Sequence, residues 1–171
     1  MMAKKTKKRE DTHTISMTVA NKPGVLVRIA LAFARRGYNI DSLVVSPAFN
    51  PNFSRMTITV SGDPEILEQI IKQANKLVDV IHTNEHTGED AVDTELALFK
   101  VKYTSTNKPA ILKFVKKFNA RIIDDSDSVL IIELAGPTEK QDEFEKIMKN
   151  YRLVEMVRTG KVCMVKGKEE T

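Results

Sequence analysis

The segment from Asn21 to Leu43 constrains the fold more than any other stretch of the chain. Asn-Lys-Pro-Gly at 21–24 reads as the start of a helix, with Pro23 suited to its first position because it lacks an N–H. From Gly24 to Arg36, Val25, Ile29 and Phe33 fall on one stripe with Leu26 and Ala30 beside it, and Gly37 stops the helix. Before it, Ile15, Met17 and Val19 alternate with Thr14, Ser16 and Thr18, the period of a half-buried strand with a hydroxyl-rich face. Tyr38 to Val45 reads as the next strand. The pattern therefore predicts strand, helix and strand in direct succession.

The alternation resumes with Met56, Ile58 and Val60 against Arg55, Thr57 and Thr59. Asp63, Pro64 and Glu65 supply cap, first helical residue and dipole partner for a second helix through Ile66, Leu67, Ile70, Ile71 and Ala74, and Leu77 to Thr83 reads as a fourth strand. The order βαββαβ is that of a ferredoxin-like unit. It then repeats. Glu95 to Tyr103 predicts a strand, Pro109 opens a helix through Ile111, Leu112, Val115 and Phe118, and strands at Arg121 to Asp124 and Val129 to Leu134 are joined at Asp125, Ser126 and Asp127. Thr138 with Gln141 predicts a capping box for a helix from about Glu139 to Lys149. Leu153 to Arg158 closes as a strand, with a further short one at Lys161 to Val165. The expected fold is α+β, with two tandem ferredoxin-like units at 12–84 and 94–171 and a linker at 85–93. Each unit alone has a thin core, and the Thr and Ser faces suit packing against something other than bulk core. Both features predict an oligomer.

Charge says less about function than the formal +4 suggests. Residues 1–9 carry Lys4, Lys5, Lys7, Lys8 and Arg9 with no acid, leaving −1 on the rest. Residues 1–11 thus read as a solvated basic arm on a nearly neutral body. No apolar run approaches the ~18 residues of a membrane span, and no apolar stretch follows the basic start. The lone Cys163 suits a reducing cytoplasm and reads as a small apolar residue of the last strand.

Catalysis by this chain alone finds no constellation to carry it. The histidines are His13, His82 and His86, none with a nucleophile and orienting group at hand. His82-Thr-Asn-Glu85-His86 matches a zinc-protease string, but that chemistry needs a helix, and this stretch follows Val78-Asp-Val-Ile in a strand context. No metal site is expected. An RNA-recognition unit shares the βαββαβ order but stacks bases on aromatics of its central strands, whereas Arg55 to Ser61 has none. The helix start at Gly24 is the remaining candidate. First-turn amides lack internal partners and carry partial positive charge, so Gly24 and Val25 could hold a carboxylate, although Asn-x-Pro-Gly is also ordinary turn chemistry.

The N-terminal unit resembles an ACT domain, and more closely that of the small regulatory subunits of acetohydroxyacid (acetolactate) synthase. The resemblance rests on Asn21-x-x-Gly24-Val-Leu, Arg35-Arg-Gly37-Tyr-Asn39-Ile-Asp-Ser-Leu43, Ser54-Arg-Met-Thr-Ile58 and Lys76-Leu-Val-Asp-Val80. It extends through Phe99-Lys-Val, Gly136 and Val154-Glu-Met-Val-Arg-Thr-Gly160. It implies a non-catalytic subunit that activates a separate large catalytic subunit and confers feedback inhibition by valine or another branched-chain amino acid. It further implies no cofactor on this chain, thiamine diphosphate, Mg and FAD being expected on the catalytic subunit. The effector site implied is Asn21, Gly24 and Val25 of one copy with Asn39 of a second copy. Gly24 and Val25 amides would take the carboxylate and Asn21 the polar head. A stand-alone amino-acid sensor acting on a different partner is the alternative reading.

Overall fold

A computed structural model describes residues 12–86, 90–168 and 171, the side chain of Ile66 excepted. The basic arm at 1–11 and residues 87–89 of the expected linker lie outside the described residues. The described elements follow the order β1 (Thr12–Ala20), α1 (Val25–Ala34), β2 (Ile40–Pro47), β3 (Phe53–Ser61), α2 (Pro64–Ala74) and β4 (Val80–His86). They continue as β5 (Ala91–Lys102), α3 (Lys108–Lys117), β6 (Arg121–Ser126), β7 (Val129–Gly136), α4 (Thr138–Met148), β8 (Arg152–Arg158) and β9 (Val162–Val165). The first sheet runs β2-β3-β1-β4 and the second β6-β7-β5-β8, with β9 paired to β5. Both have the strand order of a ferredoxin-like fold, as the doubled sequence pattern predicts.

In the N-terminal unit, the antiparallel register sets Ile15 against Ile58 and Met17 against Met56. The period-2 alternation then puts these side chains on one face, where Val25, Ile29 and Phe33 of α1 and Leu67, Ile70 and Ala74 of α2 close the core. The opposite face carries the hydroxyls. Thr14, Ser16, Thr57 and Thr59 are only 6–8% exposed in the single chain, so this face is not open to solvent. Ser16 Oγ lies 2.7 Å from His86 Nε2, whose Nδ1 is 3.2 Å from Asp90 Oδ2, so the buried hydroxyl has a polar partner. The His82–His86 stretch is strand β4, not the helix that zinc-protease chemistry would require.

The second unit packs Ala97, Phe99 and Val101 of β5 and Leu130, Ile132 and Leu134 of β7 against Ile111, Val115 and Phe118 from α3 and its end, with Phe144 and Met148 of α4. Phe144 receives Phe99 and Phe118 edge to face, at centroid distances of 5.0 and 5.2 Å. Its polar anchor is Glu95, 5% exposed, whose Oε2 accepts from Arg158 Nη2 at 2.7 Å and Nε at 3.0 Å. Arg158 also reaches Asp142 at 2.6 Å.

Local chemistry departs from expectation at three places. The capping box at Thr138 and Gln141 does not form. Pro137 is the N-cap of α4, Thr138 Oγ1 donates to Glu95, and Gln141 Nε2 donates to the carbonyls of Glu95 and Leu134 at 3.0 Å each. Tertiary acceptors thus outcompete the local cap. Pro23 is not the first helical residue either; it precedes Gly24, whose left-handed backbone lets the helix begin only at Val25. Finally, Cys163–Thr171 groups with the residues through Val92 rather than with Asp93–Val162, so the last stretch does not belong to the second compact unit. Lys166 N donates to Asp90 O at 2.9 Å and Arg55 donates to Thr171 O, which accounts for the grouping. Within it, Cys163 is a buried residue of β9.

Candidate functional site

The start of α1 is built without a side-chain cap. Gly24, its N-cap, has φ 82° and ψ −10°, a left-handed conformation that costs other L-residues roughly 1–2 kcal/mol. No acid sits in the first turn. The Val25 amide makes only a long 3.4 Å contact to Lys22 O, and the amides of Leu26 and Val27 lie in the first turn, where a helix offers no acceptor of its own. At α2 the corresponding chemistry is satisfied internally, because Asp63 accepts from the Glu65 amide at 2.9 Å. The α1 start therefore keeps donors and positive dipole available to an anion.

Arg28 lies at the same end, its charge paired with that of Asp79. It is the one charged residue of α1, and a Cβ placed on Gly24 would lie 3.2 Å from its Nη1. Its Nη2 donates to Asp79 Oδ2 at 2.5 Å, with the Arg28 side chain 48% exposed. Sequence reasoning did not single out Arg28. The available signal was a lone cation one turn beyond Gly24 in an otherwise apolar helix; its partner, far along the chain, gave none.

Asn21 stands at the end of β1, exposed, and already works structurally: its Nδ2 donates to Pro51 O at 3.0 Å and its backbone N to Asn52 O at 2.8 Å. It thereby ties the β2–β3 connection to the α1 start. Asn39 lies just before β2 and donates to Asp41 Oδ1 at 3.2 Å. Beside it, the Tyr38 hydroxyl donates to Asp63 O. Burial first, and then the Asp63 charge, push the Tyr38 pKa up, so the phenol stays neutral.

Within one copy these residues do not all converge. Asn21, Gly24 and Val25 cluster at the N-terminal end of α1, whereas Asn39 follows its C-terminal end, about 15 Å away along a helix of this length. Between the two ends, the outward side of α1 is apolar, with Leu26, Val27 and Leu31 exposed by 43%, 60% and 45%. A helix that is apolar on nearly all sides is normally covered on all sides.

The N-terminal unit is thus a ferredoxin-like fold whose first helix starts without a side-chain cap, and comparison with known proteins places it among ACT domains. Residues 15–82 match the family profile described as the AHAS small subunit-like ACT domain, and residues 94–167 that described as the small subunit of acetolactate synthase. The chain is 44% identical to the probable acetolactate synthase small subunit of Archaeoglobus fulgidus, across 92% of this chain and 99% of that one. It is 41% identical to the acetolactate synthase small subunit of Mycolicibacterium smegmatis, across 91% and 92%. The crystal structure of the acetolactate synthase small subunit from Thermotoga maritima superposes with a TM-score of 0.83 at 39% identity, covering 92% of this chain and 99% of that one. The chain belongs to the family of acetolactate synthase small subunits. These relatives are named as subunits of an enzyme, in keeping with the reading that this chain is not catalytic alone. Among the described residues, no helix is long and apolar enough to cross a membrane.

Proposed function

We propose that this chain is the regulatory subunit of a cytoplasmic acetohydroxyacid synthase, binding and activating a thiamine-diphosphate-dependent catalytic subunit and conferring inhibition by valine or another branched-chain amino acid. The observation that carries the effector part is the α1 start, where Gly24 stands in place of a capping side chain and the first-turn amides are left as donors. A small amino acid has the complementary chemistry: its carboxylate fits the first-turn amides, and its polar head can engage Asn21. The apolar outer side of α1 supplies a reason for two copies to meet there, since joining them removes Leu26, Val27 and Leu31 from water. A second copy would then bring Asn39 to the Asn21 end, which one copy cannot do. Thiamine diphosphate, Mg and FAD are assigned to the catalytic subunit and none to this chain.

The direct test adds valine, leucine and isoleucine separately to the purified chain while its thermal midpoint is followed, and then to the reconstituted enzyme while pyruvate condensation is followed. Binding to the chain alone shifts the midpoint upward through preferential binding to the folded state. The same amino acid should inhibit the reconstituted enzyme. No shift with any of the three, and inhibition unchanged when this chain is omitted, would refute the proposal.

A further inference from the structure

Arg28 stands one turn beyond Gly24 in α1, and helical side chains lean back toward the helix start. Its guanidinium therefore lies over the Gly24 backbone, with Nη1 3.2 Å from where a Cβ on that residue would be. A cation at this end works against the helix dipole and needs compensation. Asp79 supplies it, with Oδ2 accepting from Arg28 Nη2 at 2.5 Å. The acid is itself fixed in place. Asp79 O accepts from Ala20 N at 2.7 Å, and the next residue, Val80, pairs with Val19. The α2–β4 connection thus delivers a carboxylate to the end of α1 at which the effector's own carboxylate is placed.

As a brace the pair adds little. Its members are 48% and 21% exposed, and exposed ion pairs contribute weakly to stability. The Ala20–Asp79 backbone bond and the burial of Ile29, Leu67 and Val80 already hold α1 and the connection to one core. The electrostatic consequence is larger. An open helix start beside an unpaired arginine would take any small carboxylate, because opposite charges attract across a few ångströms. With Asp79 in place the arginine is neutralised, and a bare anion also meets the field of a second carboxylate. An amino acid is spared most of this repulsion, since its ammonium offsets its charge. Pyruvate, which the proposed partner condenses, is a carboxylate without that ammonium. A sensor beside such an enzyme must ignore it, and repelling the wrong ligand achieves this without any added contact to the right one.

We propose that Asp79 is a specificity-determining residue of the effector site, keeping Arg28 paired so that a carboxylate alone binds poorly and the ligand's ammonium is required. The inference rests on the effector reading of the α1 start. Asp79 acts here through its charge, so Asp79→Asn, which keeps a carbonyl to accept from Arg28, removes the effect while leaving the contact.

Calorimetry on the purified chain and its Asp79→Asn variant tests this with valine, with isovalerate, which lacks the ammonium, and with valinamide, which lacks the carboxylate. The unaltered chain should bind valine, and isovalerate far more weakly. Asp79→Asn should bind isovalerate roughly tenfold more tightly, the size of one charge contact near a protein surface, and valine more tightly by a smaller factor. Valinamide, a cation, should gain nothing. Added salt should shrink the isovalerate gain, and Arg28→Gln placed on top of Asp79→Asn should abolish it. A mere brace would leave the ratio of the isovalerate and valine affinities where it was. If the thermal midpoint shows Asp79→Asn to be unfolded, Arg28→Gln alone carries the test. It leaves Asp79 unpaired and should weaken isovalerate and valine while valinamide binds no worse; unchanged binding of both carboxylates overturns the inference. Equal affinity of the unaltered chain for isovalerate and valine also overturns it, as does an unchanged ratio in Asp79→Asn, and both results leave the effector reading standing. Failure of valine to bind any form of the chain strikes the effector reading itself, and this inference with it.

Discussion

The two units share a topology yet treat the equivalent helix in opposite ways. In the first, α1 reads Val-Leu-Val-Arg-Ile-Ala-Leu-Ala-Phe-Ala, with a glycine cap and an apolar outer side. In the second, α3 reads Lys-Pro-Ala-Ile-Leu-Lys-Phe-Val-Lys-Lys, with Lys113, Lys116 and Lys117 on its exposed side. The α3 start is also closed. Thr104 and Asn107 exchange side-chain and backbone hydrogen bonds at 2.8 and 3.3 Å, Lys108 N donates to Thr104 O, and Pro109 has no N–H to offer. Lys108 itself is engaged by Asp125 at 2.6 Å. One fold thus yields an open, anion-ready helix start in one unit and a self-satisfied one in the other. The difference lies in the cap and the outer residues, not in the topology.

That comparison predicts that damage to the second unit shows as lost stability, and damage to the α1 start as lost ligand response. The largest effect is expected at Glu95. Glu95→Ala removes the buried carboxylate that accepts from Arg158 and Thr138, while Arg158 keeps Asp142, and should destabilise the protein by about 3 kcal/mol, the upper end of the cost of lost hydrogen bonds to a charged group, read by urea unfolding. A loss below about 1 kcal/mol would show the anchor to be dispensable. Next is Asn21→Ala, which removes a hydrogen bond to a charged ligand group worth about 1.5–3 kcal/mol, roughly ten- to a hundredfold in affinity. Calorimetry with valine measures it, and an unchanged dissociation constant would remove Asn21 from the site. Gly24→Ala should cost roughly 1–2 kcal/mol of stability from its positive φ, while its new methyl presses on Arg28 and weakens ligand binding. Gly37→Ala offers the contrast: its φ is also positive at 73°, but nothing lies near its Cβ, so ligand affinity should not change.

The smallest effect is one of pH in the second unit. Hydrogen bonds from Lys108 first, and then from Tyr103, lower the Asp125 pKa. A carboxyl whose folded pKa is depressed contributes stability above its unfolded value, near 4, and that contribution fades as pH falls through the folded value. Asp125→Asn should therefore narrow its stability gap to the unaltered chain as pH drops below about 4, in melts at stepped pH. A gap constant across that range would mean the carboxylate contributes nothing. The group is solvent-facing, so the change should be slight.

The architecture was legible because period-2 and helical stripes are local: Ile15-Met17-Val19 and Val25-Ile29-Phe33 declare their faces without knowledge of a partner. The α1 start was legible for the same reason. What escaped was decided by groups distant in sequence. Glu95 takes Thr138 and Gln141 from their expected capping box, Asp79 holds Arg28 beside Gly24, and Asp90 and Arg55 draw the last stretch to the first unit. Likewise, Asn21 read as a ligand group, and its hold on Pro51 follows only from where the hairpin ends.

The central claim is that the effector site is shared between two copies, Asn21 from one and Asn39 from the other. Mixing Asn21→Ala and Asn39→Ala proteins tests it most directly, with valine binding measured by calorimetry after subunit exchange has been verified by mass. In a mixed dimer, one of the two sites combines both altered residues and the other neither. The account predicts that each variant alone binds valine weakly, and that the mixture regains unaltered affinity at roughly a quarter of the sites, since random exchange makes half the dimers mixed. A mixture that exchanges fully and regains no tight binding would contradict it.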